Sequence, residues 1–264
     1  MQLSIITITY NNLAGMRKTA DSVLAQTMND FEWIIVDGAS TDGTPEYLQE
    51  IPKRWHGATD QLHILSEPDT GIYNAMNKGI RMAHGDYLLF LNSGDSLAEV
   101  DTLAQLAQQS ITTDIAYGYQ YDDINGERVH EQCIDVPYIT FETMRNTHIP
   151  HQSTLIRREA LLRLGGYCEQ YKIISDWAFI MKGLFKCDLT ISRIPQYIAV
   201  YDTNGISSNA DKSFQWKERA DFLHREFPLF MPDYERWDRL NQNAYMKLIR
   251  GLRNIKNKLL CRKK

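Results

Sequence analysis

Apolar and polar residues follow two different periods along the first hundred residues of the chain, and the switches between them predict its fold. Leu3-Ser-Ile-Ile-Thr-Ile-Thr9 is rich in β-branched residues and reads as a buried strand. Leu13, Met16, Ala20, Val23 and Leu24 then recur at helical spacing, so an amphipathic helix follows. Residues 31–36 form a second apolar run, and Asp37-Gly-Ala-Ser-Thr-Asp-Gly43 is the loop at its carboxyl end. Thr44 as N-cap, with Pro45 and Glu46 in the first turn, predicts the next helix. The pattern repeats with a strand at 63–67, a helix through 75–83 and a strand at 87–91. Strand and helix in alternation predict a parallel sheet, whose ligands bind at the carboxyl ends of its strands. Those positions hold Tyr10, Asp37, Glu67 and the stretch Asn92 to Asp95.

The second half is less regular. A hairpin is expected around Asn125-Gly126, a strand at 152–156 and a helix at about 176–185. No repeat, low-complexity stretch or Pro/Gly-rich linker divides the chain, so one large α/β domain is expected. A length of 264 residues at 43% hydrophobic content is enough for one sizeable core. The net charge of -4 argues against a nucleic-acid binder, because counterion displacement needs a basic field and the chain as a whole does not supply one. Cys133, Cys168, Cys187 and Cys261 have no paired short spacing, which fits neither a zinc site nor a disulfide framework and predicts a reduced, cytoplasmic setting. The opening residues read as strand rather than as a leader, and no apolar run reaches the roughly 20 residues that cross a bilayer, so membrane contact is expected to be peripheral.

The loop 37–43 matches neither the Walker lysine loop nor the dinucleotide fingerprint. A carboxylate leads it instead. Asp37 is suited to accept the imide N–H of a uracil-type base, with Thr9 and Tyr10 supplying a polar contact and a stacking face; a plain Asp-Gly turn accounts for the same fragment. Asn92-Ser-Gly-Asp95 follows an apolar strand into the same crevice. There a carboxylate is suited to hold Mg²⁺ or Mn²⁺ on a diphosphate, and again a simple turn is the competing reading.

Taken together, four stretches resemble glycosyltransferase family 2 in order and spacing. They are Ser4-Ile-Ile-Thr-Ile-Thr-Tyr-Asn-Asn12, Trp33-Ile-Ile-Val-Asp-Gly-Ala-Ser-Thr-Asp-Gly-Thr44, Ser66-Glu-Pro-Asp-Thr-Gly-Ile-Tyr-Asn-Ala-Met-Asn-Lys-Gly79 and Gly85-Asp-Tyr-Leu-Leu-Phe-Leu-Asn-Ser-Gly-Asp95. The resemblance implies a Rossmann-like GT-A fold with a mostly parallel sheet and an inverting transfer. It places Thr9, Tyr10, Asn12 and Asp37 on the nucleotide, and Asn77 and Lys78 toward the diphosphate and donor sugar. It also implies a divalent Mn²⁺ or Mg²⁺ on Asp95, with Asn92 as a neutral oxygen ligand. Many relatives carry two or three aspartates where this chain has Asn92, Gly94 and Asp95, so the charge compensation is weaker.

An inverting displacement also needs a base for the acceptor hydroxyl. Ile174-Ser-Asp-Trp-Ala-Phe179 resembles the family's second-half motif, which assigns that role to Asp176. Ile149-Pro-His-Gln-Ser-Thr154 resembles a segment of one branch and sets His151 and Gln152 on the acceptor side. Asn204-Gly-Ile-Ser-Ser208 resembles a loop that closes over the ligands. On this reading residues 1–240 are the catalytic domain, with 1–100 the nucleotide-sugar half and 101–240 the acceptor half.

Residues 241–264 are expected to form a basic amphipathic helix. Tyr245, Leu248, Ile249, Leu252, Ile255 and Leu259 share a face, flanked by Lys247, Arg250, Arg253, Lys256, Lys258 and Arg262. Such a helix suits an anionic membrane surface. The resemblance extends to enzymes of O-antigen, capsule and exopolysaccharide assembly, which implies an acceptor glycan on a polyprenyl diphosphate. Two other classes compete: a non-catalytic nucleotide-sugar-binding module, and a sugar nucleotidyltransferase. The latter needs a basic glycine-rich loop that Thr9-Tyr-Asn-Asn12 does not supply.

Overall fold

Four parallel strands lay down the sheet in the computed structural model, which describes residues 1–131, 139–205 and 211–242. They are β1 (Leu3–Thr9), β2 (Glu32–Asp37), β3 (Leu62–Ser66) and β4 (Tyr87–Phe90), in the spatial order β3-β2-β1-β4. Every residue of β1, β2 and β4 is buried, which is why these strands read as near-continuous apolar runs. Helix α1 (Leu13–Leu24) covers one face: its Met16, Ala20 and Val23 pack with Leu3, Ile5, Trp33, Ile35 and Leu89. Next in the chain come α2 (Thr44–Leu48), α3 (Ile51–Arg54) and α4 (Ile72–Met82). Helix α4 covers the other face so closely that a β-carbon on Gly79 would lie 2.5 Å from Ile6. Period-2 alternation along β1 sends Ile5 to one helix and Ile6 to the other.

Beyond β4 the sheet runs through β8 (Thr154–Arg157), β6 (Ile115–Ile124), β9 (Ile191–Asp202) and the two-residue β5 (Ser96–Leu97), while β7 (Glu127–His130) pairs with β6. The added pairs β4–β8, β8–β6, β6–β7 and β9–β5 are antiparallel, and β6–β9 is parallel. The expected hairpin is the β6–β7 turn, with Asn125 at φ 56° and Gly126 at φ 89°, the pair of left-handed residues that matches strand twist. Helices α5 (Thr102–Ala107), α6 (Phe141–Asn146), α7 (Arg158–Arg163) and α8 (Ser175–Lys186) complete this half.

Two boundaries differ from the sequence expectation, for local reasons. Thr44 is the first helical residue of α2 and not its cap; Gly43 takes the cap at φ 88°, and the Thr44 hydroxyl donates to Asp42 at 2.6 Å. The strand expected from 152 begins at Thr154, because the Pro150 carbonyl accepts from the Ser153 N–H and the Thr154 hydroxyl and winds His151–Ser153 into a 3-10 turn.

Met1–Gln215 form one compact unit and the residues from Trp216 onward a second. The second unit includes most of the helix Lys212–Glu226 and the helix Met231–Gln242, joined by a 2.7 Å contact of His224 with Glu235. Trp216, Leu229, Phe230, Trp237 and Leu240 are exposed there. The expected basic tail lies outside the described residues apart from its first two. No helix among the described residues is long and apolar enough to cross a membrane.

Strand order reverses at β1, which has β2 on one side and β4 on the other. In open α/β sheets the crevice for a ligand opens at such a point, past the carboxyl ends of the strands.

Candidate active site

The loops leaving β1, β2 and β4 are laced into one rim. Asn11, in the left-handed region at φ 47°, donates its N–H to Ser40 Oγ at 2.7 Å and accepts the Thr41 N–H on Oδ1 at 2.8 Å. Asn12 caps α1 by accepting the Gly15 N–H at 3.0 Å, and its Nδ2 donates to the Ser93 carbonyl at 3.1 Å. Asn12 therefore ties the loop after β1 to the loop after β4. Asp37 is fully buried. Its Oδ1 accepts the Ser40 hydroxyl at 2.5 Å, its Oδ2 accepts the Ser66 hydroxyl at 2.6 Å, and the Ser40 N–H lies 3.2 Å from both. The carboxylate thus fixes the shape of the loop that follows it.

Next to this rim the Tyr10 ring is left 64% exposed. Gly38 brings bare backbone against it: a β-carbon there would lie 3.1 Å from the ring and 2.6 Å from the Asp69 carboxylate. Thr9 Oγ1 is buried with no hydrogen-bond partner among the described residues. Thr9, Tyr10 and Asp37 are therefore brought together, with Asp69, which the sequence reading passed over, beside them. Asn77 and Lys78 are engaged elsewhere. Asn77 clasps the second half of the chain, accepting the Tyr167 N–H at 2.8 Å and donating to the Tyr167 carbonyl at 2.8 Å and to Glu169 at 2.9 Å. Lys78 pairs with Glu67 at 2.9 Å and donates to the Pro68 carbonyl at 2.7 Å, holding the loop after β3.

The loop after β4 carries a second carboxylate into the crevice. Thr19 of α1 shapes it, donating its hydroxyl to the Asp95 carbonyl at 2.6 Å and accepting the Gly94 N–H at 3.0 Å. Asp95 is buried, and its Oδ1 accepts the backbone N–H of Asp202 at 2.9 Å. Burial pushes the Asp95 carboxyl up to about 7; the neighbouring Asp202 charge adds to the rise, while hydrogen bonds from the Asp202 N–H and the Gln152 side chain oppose it. The Asp202 carboxylate itself reaches Gly94, where a β-carbon would lie 2.7 Å from its Oδ2. Gly94 thus leaves room for a carboxylate from the end of β9 beside the loop that carries Asp95. The Asn92 side-chain oxygen is buried and has no hydrogen-bond partner among the described residues. Two carboxylates and an unsatisfied amide oxygen are the hard donors that Mg²⁺ or Mn²⁺ prefers. Asp202 was legible in principle, since it closes the strand-like run Ile198-Ala-Val-Tyr-Asp202 and the rule about strand ends applies to it equally.

A third carboxylate stands in the first turn of α8. Asp176 Oδ1 lies 2.9 Å from the Tyr73 hydroxyl, whose single hydrogen is shared with the Ile173 carbonyl at 2.6 Å. Burial and the Asp176 charge hold the Tyr73 phenol well above its ordinary value, so it stays a donor. Beside them His151 stacks on Phe90 at 4.9 Å, and its Nε2 meets the Tyr167 hydroxyl at 2.9 Å. Burial holds the imidazole below its ordinary value against the pull of Asp176, which keeps it neutral. His151 and Gln152 are adjacent in one 3-10 turn, and each bears on one acidic centre: the Gln152 amide opposes the rise of the Asp95 carboxyl, and the Asp176 charge opposes the fall of the His151 imidazole.

Residues 4–165 match the profile of the family described as Glycosyl transferase family 2. A PGL/p-HBAD biosynthesis glycosyltransferase of Mycobacterium bovis is 33% identical over 219 residues, covering 80% of this chain and 81% of its own. A putative teichuronic acid biosynthesis glycosyltransferase of Bacillus subtilis is 28% identical over 236 residues, covering 85% and 87%. Among solved structures, Staphylococcus aureus TarS 1–349 in complex with UDP superposes with a TM-score of 0.64 at 20% identity, covering 87% of this chain and 72% of that one.

Proposed function

The chain belongs to glycosyl transferase family 2, and from that premise we propose that it moves a sugar, with inversion, from a nucleotide diphosphate to a hydroxyl of a lipid-linked glycan in bacterial surface-polysaccharide assembly. The observation that carries this reading is a pair of separate acidic centres, Asp95 joined to the Asp202 backbone at 2.9 Å and Asp176 held by the Tyr73 hydroxyl at 2.9 Å. A glycosyl transfer needs such a division: oxygen ligands for the cation on the departing diphosphate, and a base for the incoming hydroxyl.

In this reading Tyr10 stacks on the base, Thr9 and Asp69 offer polar contacts at its edge, and Asp37 holds the loop that shapes the pocket. UDP is the favoured carrier, because an acceptor carboxylate beside a stacking ring suits an imide N–H. Asp95, Asp202 and Asn92 hold Mn²⁺ or Mg²⁺, which when bound neutralises charge on the diphosphate. Asn77 and Lys78 act on the donor side through the segments they fix. Asp176 takes the proton of the acceptor hydroxyl; the hydroxyl oxygen bonds to the anomeric carbon, and the carbon–phosphate oxygen bond breaks with its electrons going to the diphosphate.

The acceptor's chemical class rests on the relatives named above, which are named for PGL/p-HBAD and teichuronic acid biosynthesis. The basic residues 241–264 place the protein against an anionic membrane surface on the cytoplasmic side.

A thermal-shift screen of nucleotide sugars with and without Mn²⁺ tests the donor half, since a ligand that binds only the folded state raises stability with its affinity and concentration. UDP-linked sugars are expected to stabilise the protein in an Mn²⁺-dependent way, and the same donors to be hydrolysed slowly or transferred to polyprenyl-linked acceptors. Binding without hydrolysis or transfer establishes a non-catalytic binding module instead.

A further inference from the structure

At the opposite, amino ends of the same strands three side chains converge that the transfer reaction does not use. Glu32 opens β2, His63 is the second residue of β3, and His84 follows α4 by two residues. Five residue steps along β2 separate Glu32 from Asp37, about 16 Å at the usual rise. On this face β1 and β2 are apolar toward the crevice, with Ile6, Ile8, Ile34 and Val36, and turn polar at Ser4 and Glu32.

The Glu32 carboxylate is buried, and its two oxygens are partnered differently. Its Oε2 accepts the Ser4 hydroxyl at 2.5 Å and the His84 backbone N–H at 2.9 Å. Those two bonds aim Oε1 at the imidazoles, with His84 Nδ1 at 2.8 Å and His63 Nε2 at 3.2 Å. The two contacts are unlike. His84 is aligned for a hydrogen bond, but His63 Nε2 is closed off from solvent and has no hydrogen-bond partner among the described residues. His63 Nε2 and Glu32 Oε1 therefore stand at ion-pair distance without hydrogen-bond alignment, and a cation between them would satisfy both. The three ligand atoms all lie within 4.8 Å of one another.

We propose that Glu32 Oε1, His63 Nε2 and His84 Nδ1 form a zinc site. Two imidazoles and one carboxylate are a set that zinc accepts, with the fourth, tetrahedral position left to water. Zinc–ligand bonds of about 2.0–2.1 Å put tetrahedral donor atoms about 3.4 Å apart, slightly wider than the present contacts. The exposed His84 ring is free to make that adjustment. Ser4 and the His84 N–H supply the outer bonds that orient a ligating carboxylate. The neighbouring residues Gln2, Asp60 and Gln61 line a pocket of about 490 Å³ that gives an ion access.

Nitrogen ligands also separate this site from the crevice. Mn²⁺ and Mg²⁺ favour the all-oxygen set around Asp95, whereas imidazole favours zinc. The ion ties together the starts of β2 and β3 and the connection from α4 to β4, and so stiffens the amino edge of the sheet.

Titration of the metal-stripped, full-length protein with ZnCl₂, read by calorimetry and by thermal unfolding, tests the site. One Zn²⁺ per chain with a rise in Tm is expected. His84→Asn and His63→Asn should each weaken binding at least tenfold, and Asp95→Asn should leave it unchanged. His84 lies at the surface, and unfolding of each variant without metal verifies that it folds. Equal zinc affinity in wild type and His84→Asn, loss of binding in Asp95→Asn, or no saturable binding at all overturns the proposal. None of these outcomes depends on whether the protein transfers a sugar.

Discussion

Asp202 donates its backbone N–H to the Asp95 carboxylate at 2.9 Å, across a separation of 107 residues in the chain. That bond closes the loop after β4 onto the end of β9 and sets the Asp202 carboxylate beside Gly94. Because the bond uses backbone, Asp202→Asn keeps it and removes only the second negative charge. The Mn²⁺ concentration for half-maximal donor hydrolysis is expected to rise by about tenfold, with little change in Tm. A Mn²⁺ titration of hydrolysis in both proteins checks this, and an unchanged midpoint removes Asp202 from the metal site.

Asp95 makes the metal-free protein sensitive to pH in a direction opposite to that of most carboxylates. Its folded value of about 7 lies above the ordinary aspartate value because burial penalises the charge. The folded chain therefore keeps a proton that the unfolded chain has already released, so this group's stabilising contribution is full below about pH 4 and is lost as pH rises through about 7. Asp95→Asn should flatten that part of the stability profile, seen as a smaller difference in denaturant midpoint between pH 5 and pH 8. Mn²⁺ affinity should run the other way and increase by about tenfold from pH 6 to pH 8, since the ligand must be ionised.

Gly94 stands at φ 108°, where a side chain is strained, and its missing β-carbon makes room for Asp202. Gly94→Ala should cost about 1–3 kcal/mol of stability and also weaken Mn²⁺ binding. Gly126→Ala separates the two effects. Gly126 has φ 89° but nothing within 4 Å of an added β-carbon, so it should show the backbone cost without the metal defect. Denaturant unfolding and Mn²⁺ titration of both variants provide the comparison.

The four parallel strands were legible because strands buried on both faces leave continuous apolar runs, and the residues after those runs fall at one edge of the sheet. Thr9, Tyr10, Asp37 and Asp95 were placed at that edge on this ground. The roles of Asn12, Asn77 and Lys78 were harder to read, since a polar side chain in a motif has the same letter whether it faces a ligand or clasps a distant loop; Asn77 reaches Tyr167 across 90 residues. Asp202 and Tyr73 escaped for a related reason. Their importance comes from contacts to Asp95 and Asp176 that only the long-range packing of β9 and α4 creates. The Glu32 cluster joins three separate elements, and no local spacing announces it.

Exposed Trp216, Leu229, Phe230 and Trp237 lie in the chain just before the basic residues 241–264, and aromatic side chains near a cationic segment favour a membrane interface. The intact protein is expected to float with liposomes containing anionic lipid, and to do so less at high salt. A chain ending at Trp237 should stay at the bottom of the gradient. Equal flotation of the two assigns any binding to residues before 238.

Asp176 is the residue on which the transfer reading most depends, and its contacts allow a clean test. The Tyr73 hydroxyl donates equally well to an amide oxygen, so Asp176→Asn preserves the 2.9 Å contact and the start of α8 while removing the base. Turnover should fall by about 10²–10⁴-fold, the usual contribution of a positioned base, with donor binding unchanged. Tyr73→Phe removes a positioning bond and leaves the carboxylate, so a smaller loss of about tenfold is expected. The ordering of the two variants matters more than either value. If Tyr73→Phe were as damaging as Asp176→Asn while both still bound UDP-sugar, the Asp176–Tyr73 pair would be serving the architecture of the α4–α8 contact, and the base would have to be sought on another element of the crevice.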